Sequence, residues 1–367
     1  MRVTVGEICH LMDAWAPPEL ACDWDKAGLH TGDPNTEVAG VLICLTVTPE
    51  ALRAAQKNGA NLIIAHHPLI WEPLKTLRTD DPQARLCVEI AAANIACFSA
   101  HTNLDKARGG VNDALAERLG LQECAPLFTS DKGTFLKLVT FVPENHVDSL
   151  RDALAAAGAG VIGNYSYCSF HAPGTGTFAP NAQASPYSGI KETLNHESEM
   201  RFEMLVNRPA LAPVLEALQK THPYEEPAYD VIPLANRDRT IGLGRLGVLN
   251  KSMKLGDFAG LVRTTLGLPH VMRYGSPNRR VRHVAVLGGS GGSSISGLPE
   301  GADVFVSGDI GYHDAQTALM RAICCIDAGH AGTELPVLNT IRMRLRQAWK
   351  KLPVFIFREK PFGTVHC

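Results

Sequence analysis

The run Asn61-Leu62-Ile63-Ile64-Ala65-His66-His67-Pro68 constrains this chain more than any other. An apolar stretch this short reads as a buried strand. Pro68 cannot donate to a β-ladder, so the strand stops and two histidines stand at its tip. In α/β proteins, ligands gather at the carboxyl ends of strands. Imidazole is also the commonest metal ligand among side chains. Neighbours on an extended chain face opposite ways, so His66 and His67 reach one cation only if the chain bends. They reach two neighbouring cations easily. The plainer alternative is two unrelated loop histidines.

Strand and helix signals alternate around this run. Residues 38–46 read as a strand, and Thr48 is placed to cap a helix over Pro49–Lys57, with proline at its first position. With the His66-His67 strand this makes one βαβ unit. A helix over 82–93 and a strand over 95–100 follow. At that strand's tip stands His101-Thr102-Asn103-Leu104-Asp105, a second polar cluster. The pattern then changes. A strand at 136–142, a helix at 144–157, a hairpin-like segment at 163–180, a strand at 199–206, a helix at 208–221 and a strand at 228–232 give the order β-α-β-β-α-β of a ferredoxin-like module. Residues 236–239 read as an exit linker. From 242 the alternation returns, with helices at 255–266, 313–321 and 333–345 and strands at 282–287, 304–307 and 322–326. A length of 367 residues suits two or three domains. The expected class is α/β, with a core of residues 1–125 and 238–367 and an inserted ferredoxin-like α+β domain at 126–237.

A third cluster, His330-Ala331-Gly332-Thr333-Glu334, sits at a strand-to-helix turn. Residues four apart share a face once the helix has begun. Three strand tips therefore bring His66 and His67, His101 and Asp105, and His330 and Glu334. Imidazole with carboxylate and no thiolate suits zinc, manganese, iron, nickel or cobalt. Three histidines with two carboxylates exceed the needs of one open catalytic zinc. They suit two divalent metal ions about 3.5–4 Å apart. His101 could be a further ligand, a supporting donor, a proton shuttle, or simply packed at the strand end. The glycine run at 288–292 could cradle an anion with its N–H groups, but it matches neither phosphate-loop pattern, and a plain turn is simpler. Asp309 and His313 could line the site; alternatively, Asp309 caps the following helix.

Composition excludes several classes. A net charge of −2 argues against a broad phosphate-binding face, so direct nucleic-acid binding is not expected. No apolar run nears the roughly 20 residues of a membrane span, and the start lacks a secretory apolar region. The 10 cysteines are scattered without a C-x-x-C pair. Cys44, Cys97, Cys324 and Cys325 sit in apolar runs, as small buried hydrophobes of a reducing cytoplasm would.

Taken in order, Trp24-Asp25 with Gly28-Leu29, Ala65-His66-His67-Pro68-Leu69-Ile70 and Ala100-His101-Thr102-Asn103-Leu104-Asp105 resemble the GTP cyclohydrolase I type 2 family, also called Nif3-like. So do Gly289-Ser290-Gly291, Ser307-Gly308-Asp309-Ile310, Tyr312-His313-Asp314-Ala315 and Asp327-Ala328-Gly329-His330 with Thr333-Glu334. The middle segment is similar to the insertion of the longer members, which is like the PII and CutA-type domains. The resemblance implies a dinuclear metal site with ligands His66, His67, Asp105, His330 and Glu334. It also implies a homohexameric toroid with those sites facing an inner cavity. Thr46 departs from the pattern, since many members have Asp there.

The resulting expectation is a metal-dependent hydrolase acting on a small-molecule substrate, a nucleotide or related heterocycle. Asp105 or Glu334 would bridge the metals and His101 would move the proton. The alternatives are a non-enzymatic metal-binding or delivery protein and a regulatory interaction protein.

Overall fold

The computed structural model describes residues 3–130, 135–236 and 238–359. The chain divides into two compact units, Met1–Ser130 with Arg239–Cys367, and Asp131–Asp238. Arg237 of the expected linker lies outside the described residues.

The first unit is built on two sheets. One has the strand order Gly28–Thr31, Ala96–Ser99, Leu62–Ala65, Val41–Cys44, Val354–Ile356. Its last four strands are parallel, and Gly28–Thr31 is an antiparallel edge. Every residue of Leu62–Ala65, Val41–Cys44 and Ala96–Ser99 is buried. Strands covered on both faces lose the apolar–polar alternation, which is why these read as continuous apolar runs. Val5, Ile8 and Met12 of the helix Val5–Trp15, with Val337, Ile341 and Leu345 of Pro336–Ala348, pack on Ile43, Ile64 and Phe98. The opposite face takes Leu52 and Ala55 of Pro49–Lys57 and Leu86 and Ile90 of Pro82–Ala92. Thr48 caps its helix, its hydroxyl accepting from Ala51 N at 3.2 Å.

The other sheet has the order Met272–Tyr274, Cys324–Asp327, Val304–Gly308, Arg280–Ser290, Gly242–Lys254, Gln122–Thr129. Cys324–Asp327, Val304–Gly308 and Arg280–Ser290 run parallel, and the flanking strands are antiparallel. Gln122–Thr129 crosses the boundary expected at 125. Thr129 pairs with Gly242, so residues 126–130 belong to the first unit. That strand is mostly exposed and contains Pro126, so it carries no apolar period. Gly242–Lys254 was also silent, because Gly242, Gly244 and Gly247 replace side chains that would show its period. The helix expected at 333–345 is two: His330–Glu334, then Pro336–Ala348. Pro336 has no N–H to continue the first.

The second unit has the antiparallel order Ser169–Phe178, Asn195–Asn207, Phe135–Val142, Tyr229–Pro233. Helices Val147–Ala156 and Leu211–Thr221 bury Leu150, Leu154, Val214 and Leu218 on one face of it. The segment 163–180 holds only one arm of a hairpin. Its partner is Asn195–Asn207, with Phe178 opposite Asn195. Among the described residues no helix is long and apolar enough to cross a membrane.

Candidate metal centre

The centre lies in the first unit, where the tips of its two sheets meet. Leu62–Ala65 ends and the backbone bends, so His66 and His67 both turn inward, with ring centroids 5.1 Å apart. Ala96–Ser99 leads into the short helix Thr102–Lys106, which carries Asp105. Cys324–Asp327 of the other sheet leads into His330–Glu334.

Glu334 is the hub. Its Oε1 lies 3.4 Å from His66 Nε2 and 3.2 Å from His330 Nε2, and its Oε2 lies 3.1 Å from His67 Nε2. Asp105 Oδ1 stands 3.6 Å from His66 Nε2. The ligand atoms of His66, His67 and Glu334 all fall within 4.8 Å of one another and could hold a metal ion. These separations suit shared coordination, since atoms about 2.0–2.2 Å from one cation stand roughly 3–3.5 Å apart.

Each of the three imidazoles is fixed from behind. His66 Nδ1 donates to the Ala100 carbonyl at 2.7 Å and His330 Nδ1 to Asp309 Oδ2 at 2.7 Å, while His67 Nδ1 is hydrogen-bonded to Thr46 Oγ1 at 2.8 Å. Nε2 of each then faces the centre, where it offers a lone pair once a cation replaces any proton it carries, the arrangement metal-binding histidines take. Thr46 thus stands behind His67, at the position where Asp was expected. Asp309 does not cap the helix Tyr312–Met320, whose N-cap is Gly311 backed by Asp314. It adopts φ +53°, a conformation most side chains avoid, and reaches His330.

Of the six buried side-chain atoms without a hydrogen-bond partner among the described residues, four converge at this centre: His66 Nε2, His67 Nε2, Asp105 Oδ1 and Glu334 Oε2. Burying unsatisfied polar atoms costs about 1–3 kcal/mol each, and four on one point call for a ligand. The electrostatics agree. Burial alone would strip the proton from His66, but Glu334 and Asp105 outweigh it and raise the imidazole to about 9. A hydrogen bond to Glu334 raises His330 to about 9. Burial pushes Asp105 up to about 6, against the pull of His66. Burial opposes the charge on Glu334 too, yet the facing imidazoles hold its carboxyl well below the usual range. A field that holds protons on two imidazoles would hold a divalent cation in their place.

His101 sits apart from this tight group. Its ring is 5.2 Å from that of His66 and 5.9 Å from that of His67. Its Nδ1 is 2.8 Å from Asp25 Oδ1. Burial would raise the Asp25 carboxyl, but hydrogen bonds from His101 and Thr102 hold it well below the usual range. Asp25 therefore anchors both His101 and the start of the helix bearing Asp105.

The glycine run is not an anion cradle. Gly288 N donates to Asn112 Oδ1, Gly289 N to Thr333 Oγ1 and Gly291 N to the Gly308 carbonyl. Gly288 and Gly289 belong to the strand Arg280–Ser290. A Cβ on Gly289 would fall 2.5 Å from Glu334 Oε1, so the glycine makes room for the hub. His313 is exposed and lies outside the cluster. Asn112 was not foreseen. It is fully buried, and its amide also donates to the Asp105 carbonyl at 2.8 Å, tying the helix of Asp105 to the second sheet. A lone asparagine in a helical stretch carries no signal that could have revealed this.

A family model described as Duf34/NIF3 (NGG1p interacting factor 3) matches residues 3–361. The chain belongs to the DUF34/NIF3 family. Among relatives of this family, a "GTP cyclohydrolase 1 type 2 homolog" of Halalkalibacterium halodurans is 42% identical over 332 residues, covering 90% of this chain and 89% of its own. One of Bacillus subtilis with the same description is 39% identical over 325 residues, covering 88% and 87%. A crystal structure of a Bacillus cereus protein related to NIF3 superposes with a TM-score of 0.84 at 41% identity, over 99% of both chains. A Staphylococcus aureus structure superposes at 0.73 with 29% identity, again over 99% of both.

Proposed function

We propose that this DUF34/NIF3 member binds two divalent metal ions and is a metal-dependent hydrolase acting on a nucleotide or related heterocycle. One observation carries the metal: the four orphaned atoms of His66, His67, Asp105 and Glu334. They come from three separate segments of chain and have no other reason to converge. With His330 they make a set of three imidazoles and two carboxylates, more than one open catalytic cation uses. Glu334 faces three imidazoles with two different oxygens, so it would be the carboxylate best placed to serve both ions, whereas Asp105 is within ion-pair distance of His66 alone.

When bound, such ions supply Lewis acidity and lower the pKa of water. The chain's own part is positioning and proton movement. His101 is oriented by Asp25 and lies beside the cluster but not within it, as a proton-transferring group should. The substrate class rests on the relatives' description as "GTP cyclohydrolase 1 type 2 homolog", carried to this chain as a proposal. The second unit is assigned as a ferredoxin-like, PII/CutA-like insertion. Its strand order, with the first and third strands central, is what that β-α-β-β-α-β topology requires. A homohexamer, on family likeness alone, and a reducing cytoplasm, on the free buried cysteines Cys44, Cys97, Cys324 and Cys325, complete the reading.

The test is elemental analysis and element-specific anomalous scattering on protein purified without added metal, for the parent, His66→Ala and Glu334→Ala. Close to two ions per parent chain are expected, and well under half of that in each variant. Parent-like metal in both variants overturns the site. Metal-loaded parent and His101→Ala are then compared across a nucleotide panel. General acid–base groups contribute about 10²–10⁴-fold, so turnover should fall steeply in His101→Ala while metal stays. Equal background rates in both would favour a non-enzymatic metal-binding protein.

A further inference from the structure

Trp24 and Trp71 are 56% and 46% exposed. Large aromatic surface left in water is unfavourable, and such patches mark binding sites more often than not. The two rings come from different loops, yet their centroids are 5.6 Å apart with the planes at 52°. Both set an edge against His101, at 6.1 Å from Trp24 and 5.7 Å from Trp71. His101 in turn stands 5.2 Å from His66. An aromatic surface therefore runs outward from the candidate metal centre, through His101, into solvent.

Both loops are tied down. Trp24 precedes Asp25, whose side chain is fully buried and bound to His101 and to Thr102 N. Trp71 follows Ile70, whose N–H reaches His30 Nδ1 at 3.4 Å, while His30 Nε2 meets the Lys26 carbonyl at 2.7 Å. The segment that carries Trp24 is thus latched to the segment that carries Trp71. The backbone carrying the rings is held before any ligand arrives, which spares a ligand the cost of ordering the loops.

We infer that Trp24 and Trp71 form a stacking platform for the flat heteroaromatic ring of the substrate, with His101 between that ring and the metal centre. This rests on the reading of the centre as acting on a nucleotide or related heterocycle, and it narrows that class. The platform carries no charge and offers π-faces, so it selects the base and not the sugar or phosphate. Stacking tolerates different bases, because every base has a π-face. Ring-specific choice must then come from His101 and the centre.

The test uses the full chain loaded with metal and reads intrinsic tryptophan fluorescence. Guanosine and adenosine are titrated, with ribose 5-phosphate as the probe lacking a base. The chain has 4 tryptophans; Trp15 is buried and Trp349 packs partly buried on the same core, so the loss of quenching in the Trp24 and Trp71 variants is what assigns the signal to the platform. Saturable quenching is expected from both nucleosides and none from ribose 5-phosphate. Trp24→Leu and Trp71→Leu should each weaken nucleoside affinity by about 5–150-fold at unchanged metal content, and Trp71→Phe should restore most of it. No saturable quenching by either nucleoside, or parent-like affinity in both Leu variants, overturns the platform. If the Leu variants also hydrolyse nucleotides as the parent does, the hydrolase reading survives without it. If nucleosides bind as expected and nothing is hydrolysed, the platform stands and the hydrolase reading falls.

Discussion

Three hydrogen bonds behind the imidazoles decide which nitrogen each offers. For His67 that partner is Thr46 Oγ1, a neutral hydroxyl where the family resemblance leads one to expect a carboxylate. Removing such a partner typically lowers metal affinity about 10–100-fold. Thr46→Val should do so here, read by competition with a chromogenic chelator, while Thr46→Asp should bind at least as tightly as the parent. A Thr46→Val protein with parent-like affinity would show that His67 is oriented by packing alone. Titration offers a second handle. His66 and His330 keep their protons up to about 9 when no cation is bound. Their folded pKa is raised, so protonation is complete well below 9 and is lost as pH rises through it. A cation must displace those protons, so its apparent affinity should climb with pH and level off near 9. Calorimetry at pH 7 in buffers of different ionisation enthalpy should show proton release on metal uptake. Uptake without release would mean those imidazoles are not ligands.

At the level of elements, the site depends on a short helix pressed against a glycine. His330–Glu334 brings two cluster residues into register, four apart on one turn. Gly289 faces it at φ +75° with no room for a Cβ beside Glu334. Gly308 does the same for the helix start, where a Cβ would fall 2.5 Å from His330 N. Gly289→Ala should cost about 1–2 kcal/mol from the left-handed backbone alone. It should also displace Glu334 and lower metal content more than that loss of stability explains. Urea denaturation with elemental analysis on the same sample separates the two effects. Full metal content in a destabilised variant would show that Glu334 can move aside without leaving the centre.

On the scale of the whole chain, the second unit is inserted between paired strands. Thr129 and Gly242 are register partners, and Ser130 N donates to the Ile241 carbonyl at 3.1 Å. The chain thus leaves and re-enters the first unit at neighbouring points, and every cluster residue lies in that unit. Deleting residues 131–238 and closing the gap with a short turn should leave a folded, metal-binding protein, because domains inserted at adjacent ends separate cleanly. Circular dichroism and metal content check it. A compact deletion variant that binds no metal would mean the insertion is needed for the centre.

The sequence by itself determined the parallel strands and their tips. Runs such as Leu62–Ala65 are buried on both faces, so local composition alone betrays them. Punctuation by Pro68 and the cap at Thr48 act within a few residues, where a sequence is easily read. The pairing of His330 with Glu334 was also legible, since one helical turn sets it. What only the tertiary structure decided lies between distant segments. Asp25 reaches His101 across 76 positions, Asn112 reaches Gly288 across 176, and Asp309 lines the site, as one of its two readings had it, by reaching His330 rather than capping the next helix. The glycine run left anion binding open beside the simpler turn, and the N–H groups of Gly288, Gly289 and Gly291 go to partners no local pattern names. Edge strands such as Gln122–Thr129 stayed hidden for the same reason: their backbone is held by a neighbour, and their side chains bury too little to leave a period.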